Sequence, residues 1–337
     1  MPLFAYSVAY LPLALALIGF GLGGWWAWAA PALVFGLFPL LELAWCGSTA
    51  PPPPMTSARR LLGNGLLYLA LPAQVLGLGA FLQQVSLGAL TGAGLVGATL
   101  SGGVLCALYG INAAHELGHR RHTVEQWMAR LLLCTTLYGH FFVEHNRGHH
   151  ARVATLEDPA SARRGETVYA FWLRSIVGGW RSAWALEDRR LSRLAHPRLS
   201  PRNELLWVSV CQIGLAILVL AVFGPWALLA WCAAALIGIL NLETANYIQH
   251  YGLTREREQD GRHAKVMPHH SWNSNRPLSR ALLFDLGRHS DHHANPLRAH
   301  LALRHATEAP LLPAGYTGMV LLSLFPPAFF LAMHRRL

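Results

Sequence analysis

The chain has 337 residues, 53% hydrophobic and only 13% charged, with a mean hydropathy of +0.31. Soluble domains carry about 25% charged residues, so the composition excludes an ordinary soluble globule and points to a membrane protein. The formal charge of +10 does not indicate nucleic acid, because the basic residues border apolar runs instead of forming a readout face; they read as orientation signals and lipid-headgroup contacts, and docking of an acidic soluble partner is also compatible.

In chain order, apolar runs long enough to cross hydrocarbon as helices, about 20 residues each, fall at 5–22, 26–46, 62–84, 88–113, 205–223 and 226–248. The expected fold is an all-α integral membrane protein of about six transmembrane helices, one domain over 1–337. No Lys or Arg precedes the first run and the second follows almost at once, so the pair predicts a retained helical hairpin, not a signal peptide. Trp25, Trp26 and Trp28 at the turn between them suit the membrane interface. The PPPP stretch at 51–54, followed by Arg59 and Arg60, predicts a stiff extended connector. Gly92, Gly94, Gly97, Gly102 and Gly103 in the fourth run permit close helix packing. A shorter apolar piece at 127–143 predicts a buried or interfacial helix and no seventh crossing. Every Lys and Arg lies in 59–60, 120–204 or 255–337, and none lies in the connections near 23–25, 85–87 and 224–225. By the positive-inside rule, segments 47–61, 114–204 and 249–337 and both termini are expected in the cytoplasm, with the spans in a bacterial-type inner membrane. Cys46, Cys106, Cys134, Cys211 and Cys232 show no C-x-x-C spacing; they read as small buried hydrophobes, with no disulfide framework and no iron–sulfur site.

The histidines are the chemical signal. HELGHRRH gives His115, His119 and His122; EHNRGHH gives His145, His149 and His150; NYIQHYG gives His250; HSDHH gives His289, His292 and His293. On a helix, residues three or four apart share a face, so His115 with His119, His145 with His149, and His289 with His292 are each expected to converge on one metal. The second His of each HH pair points about 100° away and can reach a different metal, which predicts two metals side by side. A fourth helix continued to His119 would be about 48 Å long, and the sixth span ends just before His250, so all four clusters can meet at one depth beneath the cytoplasmic mouth of the bundle.

Residues 115–119, HELGH, are also the H-E-x-x-H of zinc metalloproteases, with Glu116 as general base. Such a site needs one metal and typically three protein ligands, which would leave at least six histidines without a role. An all-His, multinuclear site beside lipid favours iron oxygen chemistry over hydrolysis. A transporter would need ligands along a path across the membrane, whereas all four clusters fall on one side.

The HELGH box, EHNRGHH with its following RVATLEDPASARRGETVY, NYIQHYG, HSWNSN and LGRHSDHHANP together resemble the membrane alkane 1-monooxygenases, within the superfamily of integral-membrane di-iron desaturases and hydroxylases. The resemblance covers roughly 110–315, the earlier spans agreeing in hydropathy only. It implies six helices and nine ligands to two non-haem irons: His115, His119, His145, His149, His150, His250, His289, His292 and His293. It further implies O2 as co-substrate and hydroxylation of a terminal methyl group, above all of a medium-chain n-alkane to the 1-alkanol. Electrons would come from a rubredoxin or ferredoxin-type donor with an NAD(P)H-dependent reductase. Aromatic methyl hydroxylation, as in xylene monooxygenases, and fatty-acyl desaturation are the alternatives, and an intramembrane zinc protease is a third. His122 is extra to the first box and reads as a solvated neighbour of Arg120 and Arg121; Gln249 stands where the alkane branch usually has Glu.

Among nearby polar residues, Glu116, Glu144 and Asp291 are candidates to orient imidazole N–H groups, with salt bridges to neighbouring Arg as the alternative; His140 and His270 are second-sphere candidates on the same footing. Asp158, followed by Pro159, reads as a turn or helix-start residue.

Overall fold

A computed structural model describes residues 1–45 and 47–337. Among the described residues, six helices are long and apolar enough to cross a membrane: α1 (Leu3–Leu22), α2 (Gly24–Ala44), α3 (Ser57–Ser86), α4 (Gly92–Gly118), α8 (Glu204–Phe223) and α9 (Pro225–His250). Between α4 and α8 lie α5 (Thr123–Thr135), α6 (141–152) and α7 (Val168–Arg193); after α9 come the short α10 (Pro277–Leu282), α11 (His289–Ala294), α12 (Tyr316–Ser323) and α13 (Pro326–His334). The described residues contain no strand, only isolated bridges. The chain is an all-α integral membrane protein.

Local chemistry sets the ends of the spans. Thr56 caps α3 by accepting from the Arg59 amide (3.1 Å), and Asn203 caps α8 by accepting from Leu205 and Leu206. Gly224, at φ +86°, lets α8 turn directly into α9, which opens on Pro225. α4 is the central helix, 72% of its apolar window being buried, whereas α8 has 17% buried and lies at the periphery, where its side chains meet lipid. Four of the five glycines serve the packing expected of them, a Cβ on Gly97 lying 2.5 Å from the Trp28 ring and one on Gly102 3.1 Å from the Ala234 Cβ, whereas Gly92 faces open space. Trp28 is thus a half-buried wedge whose indole N–H donates to the Ala93 carbonyl, while Trp25 and Trp26 remain exposed.

α5 buries one face through Ala129, Leu132 and Leu133 and exposes Trp127 and Leu131, as expected of an interfacial helix and not of a crossing. α7 buries a stripe of small and apolar residues (Val168, Phe171, Ser175, Gly179, Ala183) and packs against α6 and α9. The segment carrying α10 and α11 is fastened to the N-terminal hairpin. Glu42 of α2 accepts from the Ser279 amide (2.6 Å) and hydroxyl (2.8 Å), Tyr6 and Arg280 both bond to Asp285, and buried Arg288 donates to the carbonyls of Leu303 and Ala50. The last of these pins the end of the proline connector.

Cys106 and Cys134 are buried as expected, but Cys211 and Cys232 are exposed on α8 and α9. A thiol behaves as a small hydrophobe, so an outward position among lipid tails costs it little. Cys46 lies outside the described residues.

Candidate metal centre

The nine box histidines converge. His115, His119, His145, His150 and His292 form one group and His149, His250, His289 and His293 a second; within each, one nitrogen per residue lies within 4.8 Å of all the others. His115 and His119 come from the end of α4, His145 to His150 from α6, His250 from the last residue of α9, and the remaining three from α11. The groups adjoin, with the rings of His150 and His293 only 4.4 Å apart.

The partition differs from the sequence expectation at two pairs. His145 sits with His150 and apart from His149, and His289 sits with His293 and apart from His292. In α6 the cause is a π-turn over His145–His149. A π-turn bonds residues five apart, so it brings His145 and His150 onto one face, their Nε2 atoms 3.1 Å apart. In α11 the i, i+4 pair His289 and His293 prevails over i, i+3, at 2.9 Å. The neighbours in each HH pair do face different groups, as expected.

The donor spacing tests whether metal fits. For metal–nitrogen bonds of about 2.1 Å, neighbouring ligands at a right angle stand about 3.0 Å apart and tetrahedral ones about 3.4 Å. Besides the pairs at 2.9 and 3.1 Å, His119–His145 stand 3.0 Å apart, His149–His293 3.2 Å and His250–His289 3.2 Å, all Nε2 to Nε2. Five donors in one group, at right-angle spacing, exceed a tetrahedral zinc site. The buried Nε2 atoms of His115 and His292 have no hydrogen-bond partner, a costly state that an ion would relieve. Burial first, and the crowding of imidazoles second, hold His119, His145, His150, His289, His292 and His293 well below the ordinary histidine pKa. They stay neutral, with lone pairs available. Neither group contains a carboxylate or thiolate.

The carboxylate that meets a box imidazole is Asp158. Its Oδ2 lies 2.8 Å from His149 Nδ1 and also accepts from the Ser161 hydroxyl, while its Oδ1 accepts from the Ala160 amide. Burial drives the His149 pKa down, but the Asp158 carboxylate outweighs it and the net shift is upward. The turn role read for Asp158 is real, and the imidazole contact is additional to it.

The other candidates have no hydrogen bond to a box imidazole, and Glu116 instead faces the His300 ring, its Oε1 3.4 Å from Nδ1. Glu116 accepts from Arg120 (2.7 Å) and the His300 amide (3.1 Å); Glu144 accepts from Arg152 (2.9 Å) and Ser182; Asp291 accepts from Asn295, Arg298 and the Arg304 amide. Burial and the Asp158 charge push Glu144 up to about 7. Engaged in this way, Glu116 is not free to serve as a protease base. His140 stands edge-on to the Tyr138 ring, His270 accepts the Met267 amide in its own turn, and exposed His122 accepts the Val124 amide at the start of α5. Gln249 donates to the Tyr316 hydroxyl.

The model of the fatty acid desaturase family matches residues 91–323. The chain is 41% identical to alkane 1-monooxygenase 1 of Alcanivorax borkumensis over 312 residues, 91% of this chain and 77% of that one. It is 41% identical to an alkane 1-monooxygenase of Pseudomonas putida over 302 residues, 88% of this chain and 75% of that one. This chain belongs to the alkane 1-monooxygenase branch of the fatty acid desaturase family. A more distant relative is the hydroxylase component of the xylene/toluene monooxygenase of Pseudomonas putida, at 30% identity over 325 residues, 94% of this chain and 84% of that one.

Cavities of two kinds lie around the centre. A half-open apolar chamber, walled by residues such as Pro31, Leu100, Ile237 and Leu324, shares Phe35, Val104, Asn241 and Val320 with an inner apolar cavity. The inner cavity reaches Asn112, three residues before His115, and Leu286, three before His289. On another side, a basic cleft lined by Arg120, Arg121, Arg130 and Arg147 exposes His119 and His150.

Proposed function

We propose that the chain is an O2-dependent non-haem di-iron monooxygenase that converts the terminal methyl group of an apolar hydrocarbon, above all a medium-chain n-alkane, to the primary alcohol. The observation that carries this reading is the pair of all-histidine groups, together with an apolar cavity among the spans whose lining comes within three residues of His115 and of His289 along the chain. The net reaction is RH + O2 + 2e⁻ + 2H⁺ → ROH + H2O. The nine histidines would hold two irons, which when bound supply the oxygen activation that no side chain can provide. The protein's part is binding and positioning. Neutral imidazoles present lone pairs, Asp158 fixes the His149 tautomer, and the apolar walls exclude water and align a chain end with the centre.

Substrate dissolved in the bilayer has a direct route through the outer chamber. The basic cleft beside His119 and His150 favours an acidic one-electron donor, a rubredoxin or ferredoxin-type protein reduced by an NAD(P)H-dependent reductase. With the donor in the cytoplasm, the cleft and both termini face it and the spans lie in an inner membrane; the chain acts as one domain.

The test is elemental analysis of detergent-purified protein together with product analysis on octane, supplied with O2, NADH and a rubredoxin and reductase pair. About two irons per chain and 1-octanol are expected. One zinc with no hydroxylation would overturn the reading, and two irons with turnover of p-xylene only would move it to aromatic methyl groups.

A further inference from the structure

The inner cavity is apolar except at a few points, and two of those points carry unused hydrogen-bonding capacity. Asn112 is 6% exposed, and neither its Nδ2 nor its Oδ1 has a partner; Thr317 is 5% exposed, and its Oγ1 has none. Both line the cavity. The other polar side chains there are engaged: Asn241 donates to the Ile237 carbonyl and the Tyr316 hydroxyl receives Gln249. Buried polar groups without partners are rare and call for an explanation.

Their position narrows the explanation. Neither residue lines the outer chamber, so both belong to the inner part of the passage. Asn112 precedes His115 by three residues and therefore lies one helical turn from the candidate metal ligands. An alkane offers these groups nothing. A primary alcohol offers one O–H donor and one oxygen acceptor, and an Asn amide with a Thr hydroxyl can satisfy both.

We infer that Asn112 and Thr317 form a hydroxyl-binding subsite that takes up the alcohol group of the product as it leaves the metal centre. This rests on the cavity being the hydrocarbon site. The subsite discriminates product from substrate: it gives the alkanol hydrogen bonds inside an apolar enclosure, where an unpartnered hydroxyl would be unfavourable, and leaves alkane binding to the apolar walls.

The experiment is equilibrium binding by ¹⁹F NMR of 8-fluorooctan-1-ol and 1-fluorooctane to the full chain in nanodiscs, corrected for partition into empty discs. Wild type is compared with Asn112→Leu and the nearly isosteric Thr317→Val. Each substitution should weaken the fluoroalkanol about tenfold, the worth of one hydrogen bond, and leave the fluoroalkane and the bound-metal content unchanged. In turnover, the inhibition constant of 1-octanol should rise by a larger factor than any change in the KM for octane. Wild-type fluoroalkanol affinity in both variants would overturn the inference, the two groups then holding only water. Equal loss of alkanol and alkane would overturn it as well, leaving a role in cavity shape. A wild-type chain that binds the fluoroalkanol but not the fluoroalkane would instead overturn the hydrocarbon-channel reading and leave the hydroxyl subsite standing.

Discussion

Asp158 and Glu116 show how differently two buried carboxylates beside one centre are used. Asp158 holds the imidazole of His149, and orienting partners of this kind are worth about 10- to 100-fold in metal affinity, so Asp158→Asn should lose metal to a chelator that wild type resists. Unchanged metal retention would assign Asp158 to its turn alone. Glu116 instead links the end of α4 to Arg120 and the His300 amide. Glu116→Gln should therefore keep most of the hydroxylase activity with some loss of thermal stability, and abolition of activity would restore a direct chemical role. The convergence of the histidines was legible because residues that meet at one point from helices leave a spacing pattern. Asp158 was not, because its contact is made by a loop that folds back through Ala154 in a left-handed conformation (φ +59°) and by the Ser161 hydroxyl bonding the Ala154 amide. Spacing along a helix carries no trace of such a return.

At the scale of elements, hydropathy located all six spans to within a few residues, since the need to satisfy backbone groups in lipid leaves helix as the only option for such runs. It could not foresee the π-turn in α6, which reassigns His150 and His149 between the groups. One residue's shift in register comes from packing and has no compositional signature. A second feature of the inserted elements is ionic. Glu187 of α7, with a fully buried side chain, accepts from Arg190, Arg147 and the Glu204 amide at the start of α8. Burial raises its pKa, but the Arg190 and Glu204 hydrogen bonds prevail and hold it below the ordinary carboxylate range. Its stabilising contribution is present above the unfolded carboxylate value of about 4.3 and is lost as pH falls through the lower folded value. Amide exchange in the 194–203 connection, corrected for intrinsic rates, should accelerate on acidification below that value, and Glu187→Gln should exchange faster already at neutral pH. Equal pH profiles for the two proteins would contradict this account.

For the whole molecule, the proposed function gives hydrocarbon and electrons separate routes, one by the apolar cavities and one by the basic cleft. Turnover should respond accordingly. Raising ionic strength from about 0.01 M to 0.15 M shortens the screening length from about 30 Å to about 8 Å, so the apparent KM for an acidic donor should rise while that for octane stays level. Arg121→Glu, at an exposed position in the cleft, should mimic the effect. The cleft was not legible as a surface: its arginines are scattered through 120–147 and acquire a common face only after α4, α5 and α6 have packed. The division into five and four histidines has its own consequence. Only the larger group opens to the cleft, through His119 and His150, and only the smaller contains a carboxylate-bonded imidazole. Two ions held there would be unlike in ligand number and basicity, one an outer port for charge and the other an inner reserve. The iron-57 Mössbauer spectrum of the loaded protein should then resolve two doublets of equal area, and a single doublet would show that the fold's asymmetry does not reach the metals.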